Sequence, residues 1–208
     1  MAPRRPTSRK AAEAPGRQAA LDGRELLVAV CGGIAAFKTA AMVSAAVQRG
    51  AGVTVAMTAA AQQFITPLTF STLTARRVYT GLFDAADCHD PQHLSLTEAA
   101  DLIIIAPATA NIIGKIAHGI ADDLVSTLVM AANGPVLLAP AMNTRMWGNA
   151  AVRDNLQAIS QRGLWVIPPD EGWLACRGVG AGRMAEPEAI LAEAAAILAK
   201  TAPKKHGK

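Results

Sequence analysis

The sequence has few aromatic residues, few cysteines and no long hydrophobic run, and each shortage excludes a class of protein. One Tyr and four Phe in 208 residues provide too few stacking surfaces for a protein that binds single-stranded nucleic acid. The three cysteines (Cys31, Cys88 and Cys176) are spaced too widely for a disulfide framework or a metal site. No apolar run approaches the roughly 20 residues needed to cross a bilayer. We therefore expect a cytoplasmic protein with no metal, no membrane contact and no nucleic-acid partner.

The positive charge of the chain is concentrated at its two ends. The net charge is +4, but residues 1–23 carry +3 and residues 200–208 carry +4, so the part between them carries −3. Basic tails on an acidic body do not form a nucleic-acid face. Residues 1–23 combine Pro, Ala and Arg without apolar periodicity, which favours a disordered basic extension over a transit peptide. Residues 24–199 are then predicted to form one domain, and residues 200–208 a basic tail.

Apolar segments of strand length alternate with helical patterns along this domain. Residues 102–105 are apolar at every position, which is typical of a central strand buried on both faces of a parallel sheet. Other strands are predicted at 26–31, 53–57, 136–139 and 164–167, a loop at 84–92, and one long helix at 144–162. The alternation predicts a single Rossmann-like or flavodoxin-like α/β domain, a parallel sheet with helices on both faces.

Small or polar residues follow four of these strands. They are Gly32 and Gly33, Thr58, residues 109–111, and Ala141 with Asn143. Ligands of open α/β sheets bind outside the carboxyl ends of the strands, so we expect these loops to share one site. The glycine turn would aim backbone N–H groups at a phosphate, although a tight turn without a ligand fits the residues as well. Amides, hydroxyls and small side chains suit a phosphorylated planar cofactor.

Few side chains near these loops can exchange a proton. His93 lies one helix before the central strand, and Cys176 lies in residues 168–186, which contain four glycines and two prolines. Such a segment is predicted to have no regular structure and to close over the site as a flap. Taken one at a time, each of these residues could instead have a purely structural role. His93 would be a surface histidine, Cys176 a buried thiol, and Asn143 a helix N-cap.

Five motifs in one order resemble those of the homo-oligomeric flavin-containing cysteine decarboxylases, in particular of the members that act on phosphopantothenoylcysteine. The motifs are CGGIAAFK at 31–38, His93, APATAN at 106–111, PAMN at 140–143 with Met146-Trp147, and ACxxxGxGRM at 175–184. The resemblance covers about residues 25–199. Five motifs in register are much more specific than any one of them.

The resemblance implies FMN bound non-covalently between the subunits of a homotrimer or of a multiple of trimers. It implies decarboxylation of 4′-phosphopantothenoylcysteine to 4′-phosphopantetheine in coenzyme A biosynthesis. The flavin would oxidise the cysteine to a thioaldehyde, CO2 would leave, and the reduced flavin would return the hydride to the ene-thiol. Bacterial relatives often carry a fused synthetase domain, and this chain ends at Lys208. A separate phosphopantothenate–cysteine ligase is therefore expected to act upstream.

The resemblance also implies roles for individual residues. His93 corresponds to the active-site base, and Cys176 to the acid that protonates the ene-thiolate. Substrate contacts are implied for Asn143, which would meet the carboxylate, and for Met146, Ala175 and Arg183. Flavin contacts are implied for Gly32, Gly33, Ile34, Thr58, Thr109, Ala110, Asn111, Ile112 and Ala141. No metal is implied.

Two departures and three alternatives accompany the resemblance. Arg177-Gly178 follows Cys176 where the family usually has glycine first, and Ile112 replaces a common threonine. A related enzyme could instead decarboxylate the C-terminal cysteine of a peptide, or prenylate the flavin. The fold also serves as a phosphatase-regulating subunit that keeps FMN without required chemistry. The PAMN motif favours the small substrate, and the joint presence of His93, Asn143 and Cys176 favours an enzyme.

Overall fold

The strands of the central sheet are all parallel, and the first strand lies in the middle. A computed structural model describes residues 20–82 and 92–201. In these residues the central sheet consists of β1 (Glu25–Val30), β2 (Gly52–Met57), β3 (Val78–Tyr79), β4 (Leu102–Ala108), β5 (Val136–Pro140) and β6 (Trp165–Val166). The strand order is β3-β2-β1-β4-β5-β6, and every pairing is parallel. This is the doubly wound order of Rossmann type.

Helices connect and cover these strands. In the described residues they are α1 (Ala36–Gln48), α2 (Pro67–Thr74), α3 (Gln92–Ala99), α4 (Ala110–His118), α5 (Leu124–Met130), α6 (Thr144–Trp147), α7 (Ala150–Gln161) and α8 (Pro187–Leu198). A 3₁₀ turn at Ala61–Gln63 precedes α2. An antiparallel hairpin of β7 (Asp170–Trp173) and β8 (Val179–Arg183) precedes α8. Within this described part, no helix combines the length and the apolar character that a membrane crossing requires.

Each face of the central strands packs against its own set of helices. Val28 and Ile104 belong to a core cluster shared with α1, α2 and α8, whereas Leu27 and Ile105 belong to one shared with α4, α5 and α7. Successive side chains of a strand point to opposite faces, so β1 and β4 have to be apolar at consecutive positions. All residues of β4 are buried. The predicted α/β domain, with a parallel sheet and helices on both faces, is confirmed.

The chain changes its direction across the sheet between β1 and β4. Residues 26–29 of β1 pair with residues 102–105 of β4, and β2 lies on the other side of β1. The connection that follows β1 therefore leads to one side, and the connection that follows β4 leads to the other. A crevice opens between the two connections at the carboxyl ends of the strands, which is where doubly wound proteins bind their ligands.

The folded domain extends beyond its predicted boundaries. Leu21 is buried in the core, and the N–H of Gly23 donates to the carbonyl of Gly50 over 3.0 Å, so the prediction of disorder is wrong for residues 20–23. Lys200 holds its Nζ 4.8 Å from the centre of the Trp165 ring and so packs on the domain rather than starting a tail. Residues 1–19, 83–91 and 202–208 lie outside the described part, and so does the loop predicted at 84–92 except for its last residue, Gln92, which begins α3.

Two predicted elements differ in the structure. The helix predicted at 144–162 is divided into α6 and α7, because Asn149 caps a new helix by accepting the N–H of Ala151 over 2.9 Å. The prediction that residues 168–186 lack regular structure is wrong, since they contain the β7–β8 hairpin. Gly182 of β8 has a φ of +122°, and a Cβ there would overlap the carbonyl oxygen of Met142. The glycines of this segment thus permit close packing of the hairpin on its neighbour.

Truncation of Ile104 should destabilise the domain by about 2–5 kcal/mol, because a large-to-small change at a fully buried position leaves a cavity. The free energy of unfolding of Ile104→Ala would be measured by urea denaturation at a fixed protein concentration. Ile120→Ala is the control, since Ile120 is 47% exposed and Ile104 is 0% exposed. This control should lose less than about 1 kcal/mol. Equal losses would contradict the central position of β4.

Candidate functional site

A cavity of about 1140 Å³ lies at the carboxyl ends of β1, β2, β4 and β5. Pockets for one small ligand usually measure roughly 300–1,000 Å³, so this cavity has room for a cofactor together with a substrate. It brings together the predicted site residues with the exception of His93. The predicted residues in its lining are Gly32, Gly33, Ile34, Thr58, Thr109, Ala110, Asn111, Ile112, Ala141, Asn143, Met146, Ala175, Cys176 and Arg183.

Two helices begin at the wall of the cavity. Helix α1 starts after Ala35, which supplies no side-chain cap, and α4 starts after Thr109. The first N–H groups of a helix have no partner within the helix, and the helix dipole makes this end attract anions. Gly32 brings the loop that follows β1 against the loop that follows β2, since a Cβ at Gly32 would overlap Ala60. Backbone N–H groups in such a narrow wall suit a phosphate.

Three of the predicted polar residues accept backbone N–H groups at the start of helical segments, and two of them, Thr109 and Asn143, do so as N-cap residues. The Oγ1 of Thr58 accepts the N–H of Ala61 over 3.2 Å, and the Oγ1 of Thr109 accepts the N–H of Ile112 over 3.4 Å. The Oδ1 of Asn143 accepts the N–H of Met146 over 2.9 Å.

These three hydrogen bonds leave each side chain with donors for a ligand. A hydroxyl that accepts one hydrogen bond still has its O–H to donate, and a side-chain amide still has its NH2 group. Thr58, Thr109 and Asn143 also line the cavity. For Asn143 the two interpretations left open by the sequence are therefore compatible, because the N-cap itself lies at the site.

An ion-pair cluster at the cavity lies on α4 and at the start of α5. Lys115 Nζ lies 2.6 Å from Oδ1 of Asp122 and 2.6 Å from Oδ2 of Asp123. Both hydrogen bonds raise the pKa of Lys115 above its usual value, and the one to Asp122 contributes most. Burial by itself would raise the pKa of Asp123, but hydrogen bonds from Lys115 and from Ser126 outweigh it, so this pKa lies below its usual value. Lys115 and Asp123 therefore stay ionised at neutral pH.

Cys31 lies at the end of β1, beside this cluster, and it cannot act as a nucleophile. Burial raises the pKa of its thiol to about 12, and the negative charge of Asp123 contributes to the increase. The thiolate is the reactive form of cysteine. Cys31 is therefore a neutral packing residue of the cavity wall, whereas Cys176 is exposed.

The β7–β8 hairpin contributes Cys176 and its neighbours to the cavity. Its turn is closed by the N–H of Leu174, which donates to the carbonyl of Gly178 over 2.8 Å, and by the N–H of Arg177, which donates to the carbonyl of Leu174 over 2.9 Å. Arg177 has a φ of +62°, in the left-handed region that favours glycine. The departure from the family pattern thus falls on a residue with glycine-like backbone geometry, and the turn forms with arginine in this place.

His93 lies on α3, apart from the other predicted residues. It is half-buried, and its carbonyl accepts the hydroxyl of Thr97 over 2.8 Å. The described lining of the cavity does not include it. A single chain therefore does not bring His93 to Asn143 and Cys176.

Other residues of the cavity are not predicted from the sequence. Lys38, Lys115 and Asp123 line it, although each lies in a helix or at a helix start. The spacing offers a clue for Lys115, which follows Asn111 by four residues on α4 and so shares its helix face. Within residues 20–82 and 92–201, no group of three or more His, Cys, Asp or Glu side chains could hold a metal ion.

The fold and the cavity define a class of protein. It is a doubly wound α/β protein whose switch-point cavity fits a phosphorylated planar ligand. The chain belongs to the Flavoprotein family, whose model matches residues 17–199.

Three known proteins show the similarity in detail. The chain is 48% identical over 171 residues to the coenzyme A biosynthesis bifunctional protein CoaBC of Bacillus subtilis (strain 168), a match that covers 82% of this chain and 42% of that relative. It thus spans less than half the length of this relative. A solved PPC decarboxylase, a cysteine-to-serine mutant complexed with pantothenoylaminoethenethiol, is 31% identical with a TM-score of 0.74, over 82% of this chain and 96% of the other. The FMN-binding protein AtHal3 is 29% identical with a TM-score of 0.74, and the match covers 86% of this chain and 98% of that one.

Alkylation should distinguish the two described cysteines. A pKa of about 12 instead of the ordinary 9.0 leaves about a thousandfold less thiolate on Cys31 at pH 8, and burial blocks the reagent. We expect iodoacetamide to modify Cys176 in the native protein and to modify Cys31 only after unfolding in urea. Peptide mapping by mass spectrometry reports each cysteine separately. Equal native labelling of the two would contradict the burial of Cys31.

Proposed function

We propose that the protein is an FMN-dependent decarboxylase, which converts 4′-phosphopantothenoylcysteine to 4′-phosphopantetheine and CO2 in coenzyme A biosynthesis. The observation that carries this proposal is one cavity that unites the loops after β1, β2 and β4 with Asn143 and Cys176. The similarity to a coenzyme A biosynthesis protein and to a PPC decarboxylase supports it. The enzyme would act in the cytoplasm on the product of an upstream phosphopantothenate–cysteine ligase.

The residues of the cavity fit FMN. The N-termini of α1 and α4 and the hydroxyls of Thr58 and Thr109 would be donors for its phosphate and polar edges. Ile34 and Ile112, which also line the cavity, would be apolar contacts for its ring. The FMN-binding protein AtHal3 has the same fold. When bound, FMN would accept a hydride reversibly, so that the substrate can be oxidised to a thioaldehyde, lose CO2 and be reduced again without net redox change.

Asn143 is suited to hold the carboxylate that leaves as CO2. Because Oδ1 is engaged by the N–H of Met146, the NH2 group is the part of the side chain that can meet a ligand. A carboxylate only accepts hydrogen bonds, so it is a suitable partner for this group. A neutral donor orients the carboxylate less tightly than an arginine would, which favours release of CO2. Met146 and Ala175 line the cavity beside it.

Cys176 is suited to donate the proton of the last step. Its side chain is exposed and belongs to the lining of the cavity, and a thiol is a much stronger acid than a hydroxyl. The solved PPC decarboxylase with a cysteine-to-serine change was complexed with an ene-thiol. An ene-thiol is the species expected when this protonation fails.

His93 would act in the cavity of a neighbouring subunit of a homotrimer. In a single chain the described lining of the cavity does not include His93, although the resemblance assigns this residue the role of base. Two apolar side chains at the cavity are strongly exposed, Ile34 by 56% and Phe37 by 64%. Exposed apolar surface beside a binding site favours contact with another chain. FMN would then lie between subunits.

Incubation of the purified protein with 4′-phosphopantothenoylcysteine tests the proposal. We expect a yellow protein with FMN that releases CO2 and forms 4′-phosphopantetheine. Turnover of a peptide with a C-terminal cysteine instead would favour a peptidyl-cysteine decarboxylase. Prenylation of the flavin would favour a flavin prenyltransferase. Binding of FMN without any turnover would favour a regulatory subunit. A colourless protein that does not take up FMN would contradict the cofactor.

Replacement of Cys176 should block the last step alone. Because a serine hydroxyl is too weak an acid to protonate the ene-thiolate, Cys176→Ser should still oxidise and decarboxylate the substrate. It should accumulate reduced flavin and an ene-thiol two mass units lighter than 4′-phosphopantetheine, followed by absorbance and mass spectrometry. Cys31→Ser, at a buried thiol, is the control and should still form 4′-phosphopantetheine. Full turnover by Cys176→Ser would rule out the proton-donor role.

Mixed oligomers should reveal whether His93 acts across subunits. His93→Asn should bind FMN but release no CO2, and Cys176→Ser should form no 4′-phosphopantetheine. Co-expression of the two variants would create sites with His93 from one chain and Cys176 from its neighbour. Such sites should restore up to about a quarter of the wild-type rate in a random mixture. If both residues act within one chain, the mixture stays inactive.

A further inference from the structure

Three charged side chains form a cluster at the cavity, and the steps proposed above do not involve this cluster, although the resemblance implies a substrate contact for one member, Arg183. We call Lys38, Arg183 and Glu186 the Glu186 cluster. Lys38 Nζ donates to Oε1 of Glu186 over 3.0 Å and to the carbonyl of Met184 over 2.9 Å. Arg183 donates to the same Oε1. Lys38 lies on α1, Arg183 ends β8, and Glu186 is the N-cap residue of α8, so the cluster joins three elements.

The two cationic side chains of the cluster differ in how firmly the protein holds them. The Lys38 side chain is 10% exposed and is also held by the Met184 carbonyl, whereas the Arg183 side chain is 40% exposed. The Arg183 side chain passes close to Gly172 of β7, where a Cβ would lie 3.1 Å from the Nη1 atom of Arg183. Glu186 is therefore the charged partner that holds the guanidinium, while Lys38 would stay in place without it.

The charges of the cluster do not cancel. Two cations share one carboxylate oxygen, which leaves a net positive charge at a wall to which both Lys38 and Arg183 contribute. A guanidinium has five N–H groups, and Glu186 accepts a hydrogen bond from Nη2 of Arg183. Arginine therefore has donors left for an anion with several acceptor oxygens, such as a phosphate monoester.

We propose that Glu186 is a positioning residue that holds Arg183 beside Lys38, so that the two cations bind the phosphate monoester of a ligand in the cavity. The inference rests on the proposed function, in which both FMN and the substrate carry such a group. Glu186 acts through Arg183 and does not itself touch the ligand. The cluster makes the site selective for the phosphorylated form of its ligand.

Glu186→Gln removes the negative charge and keeps the size of the side chain. Lys38 and Arg183 then repel each other without compensation, and the more exposed Arg183 turns toward solvent. Binding of the phosphorylated ligand should weaken roughly tenfold, as for the loss of one charge-assisted hydrogen bond. Binding of the dephosphorylated ligand should not change.

Two ligand pairs identify which phosphate is bound. The KM and kcat of phosphopantothenoylcysteine are compared with those of pantothenoylcysteine, and the Kd of FMN with that of riboflavin by fluorescence. A higher KM at constant kcat for the phosphorylated substrate alone assigns the phosphate to the substrate. A higher Kd for FMN alone assigns it to the cofactor. Both results support the proposal.

The chain offers a matched control at the start of α8. Glu188 also lies in the first turn of α8 and forms an ion pair with Arg49 at the end of α1, and neither residue belongs to the described cavity lining. Glu188→Gln should therefore leave the binding of all four ligands unchanged. It removes an ion pair between the same two helices, so it controls for loss of stability.

Arg183→Met tests whether Glu186 acts through Arg183. It should cause the same selective loss, and the double variant should lose no more than either single one. It also provides the test if Glu186→Gln does not fold. The proposal is overturned if Glu186→Gln leaves the binding of every ligand unchanged, or if it weakens the binding of phosphorylated and dephosphorylated ligands equally. It is also overturned if the effects of Glu186→Gln and Arg183→Met add in the double variant.

Failure of the proposed function would give a different result. The wild-type protein would then release no CO2 and bind no FMN, but inorganic phosphate would still test the cluster. Phosphate should raise the Tm of the wild type and of Glu188→Gln more than that of Glu186→Gln, because bound anion stabilises the folded state. Equal increases in the three proteins would overturn the inference.

Discussion

The pairing of β1 with β4 is the constraint on which the remaining structure depends. Both strands are buried on two faces, so helices have to cover each side of the sheet. Their adjacent position in the order β3-β2-β1-β4-β5-β6 makes the connections diverge and opens the crevice. The loops that follow both strands, and the first turns of α1 and α4, then face one space. The cavity is therefore a consequence of the sheet topology.

The same atoms stabilise the helices and prepare the site. Thr58, Thr109 and Asn143 use side-chain oxygens to accept backbone N–H groups at the start of helical segments, which fixes their side chains before any ligand arrives. Their remaining donors then point from rigid positions, and little conformational entropy is lost when a ligand binds. A substitution at these positions would therefore affect both the local helix and the ligand, and stability should be measured beside activity.

Hydrogen bonds attach the hairpin, and the residue just after it, to the rest of the domain. The N–H of Met142 donates to the carbonyl of Gly182 over 2.9 Å, and Lys38 joins α1 to the carbonyl of Met184, just beyond β8. The hairpin thus connects the α1 wall, which is suited to phosphate, with the Asn143 end of the cavity. Cys176 lies at the far turn of the same hairpin, so these attachments also set the position of the proposed proton donor.

The sequence by itself determines most of the strands, the fold class and most of the residues that line the cavity, because these follow from patterns within short segments of the chain. Residues 102–105 specify a buried strand by their composition, and the parallel topology then brings Gly32, Thr58 and Thr109 to one edge. Only the tertiary structure decides the Lys38–Glu186 pair, whose partners lie 148 residues apart, and the packing of Gly182 against Met142. Local patterns carry no information about such distant pairs, since these depend on how complete elements pack.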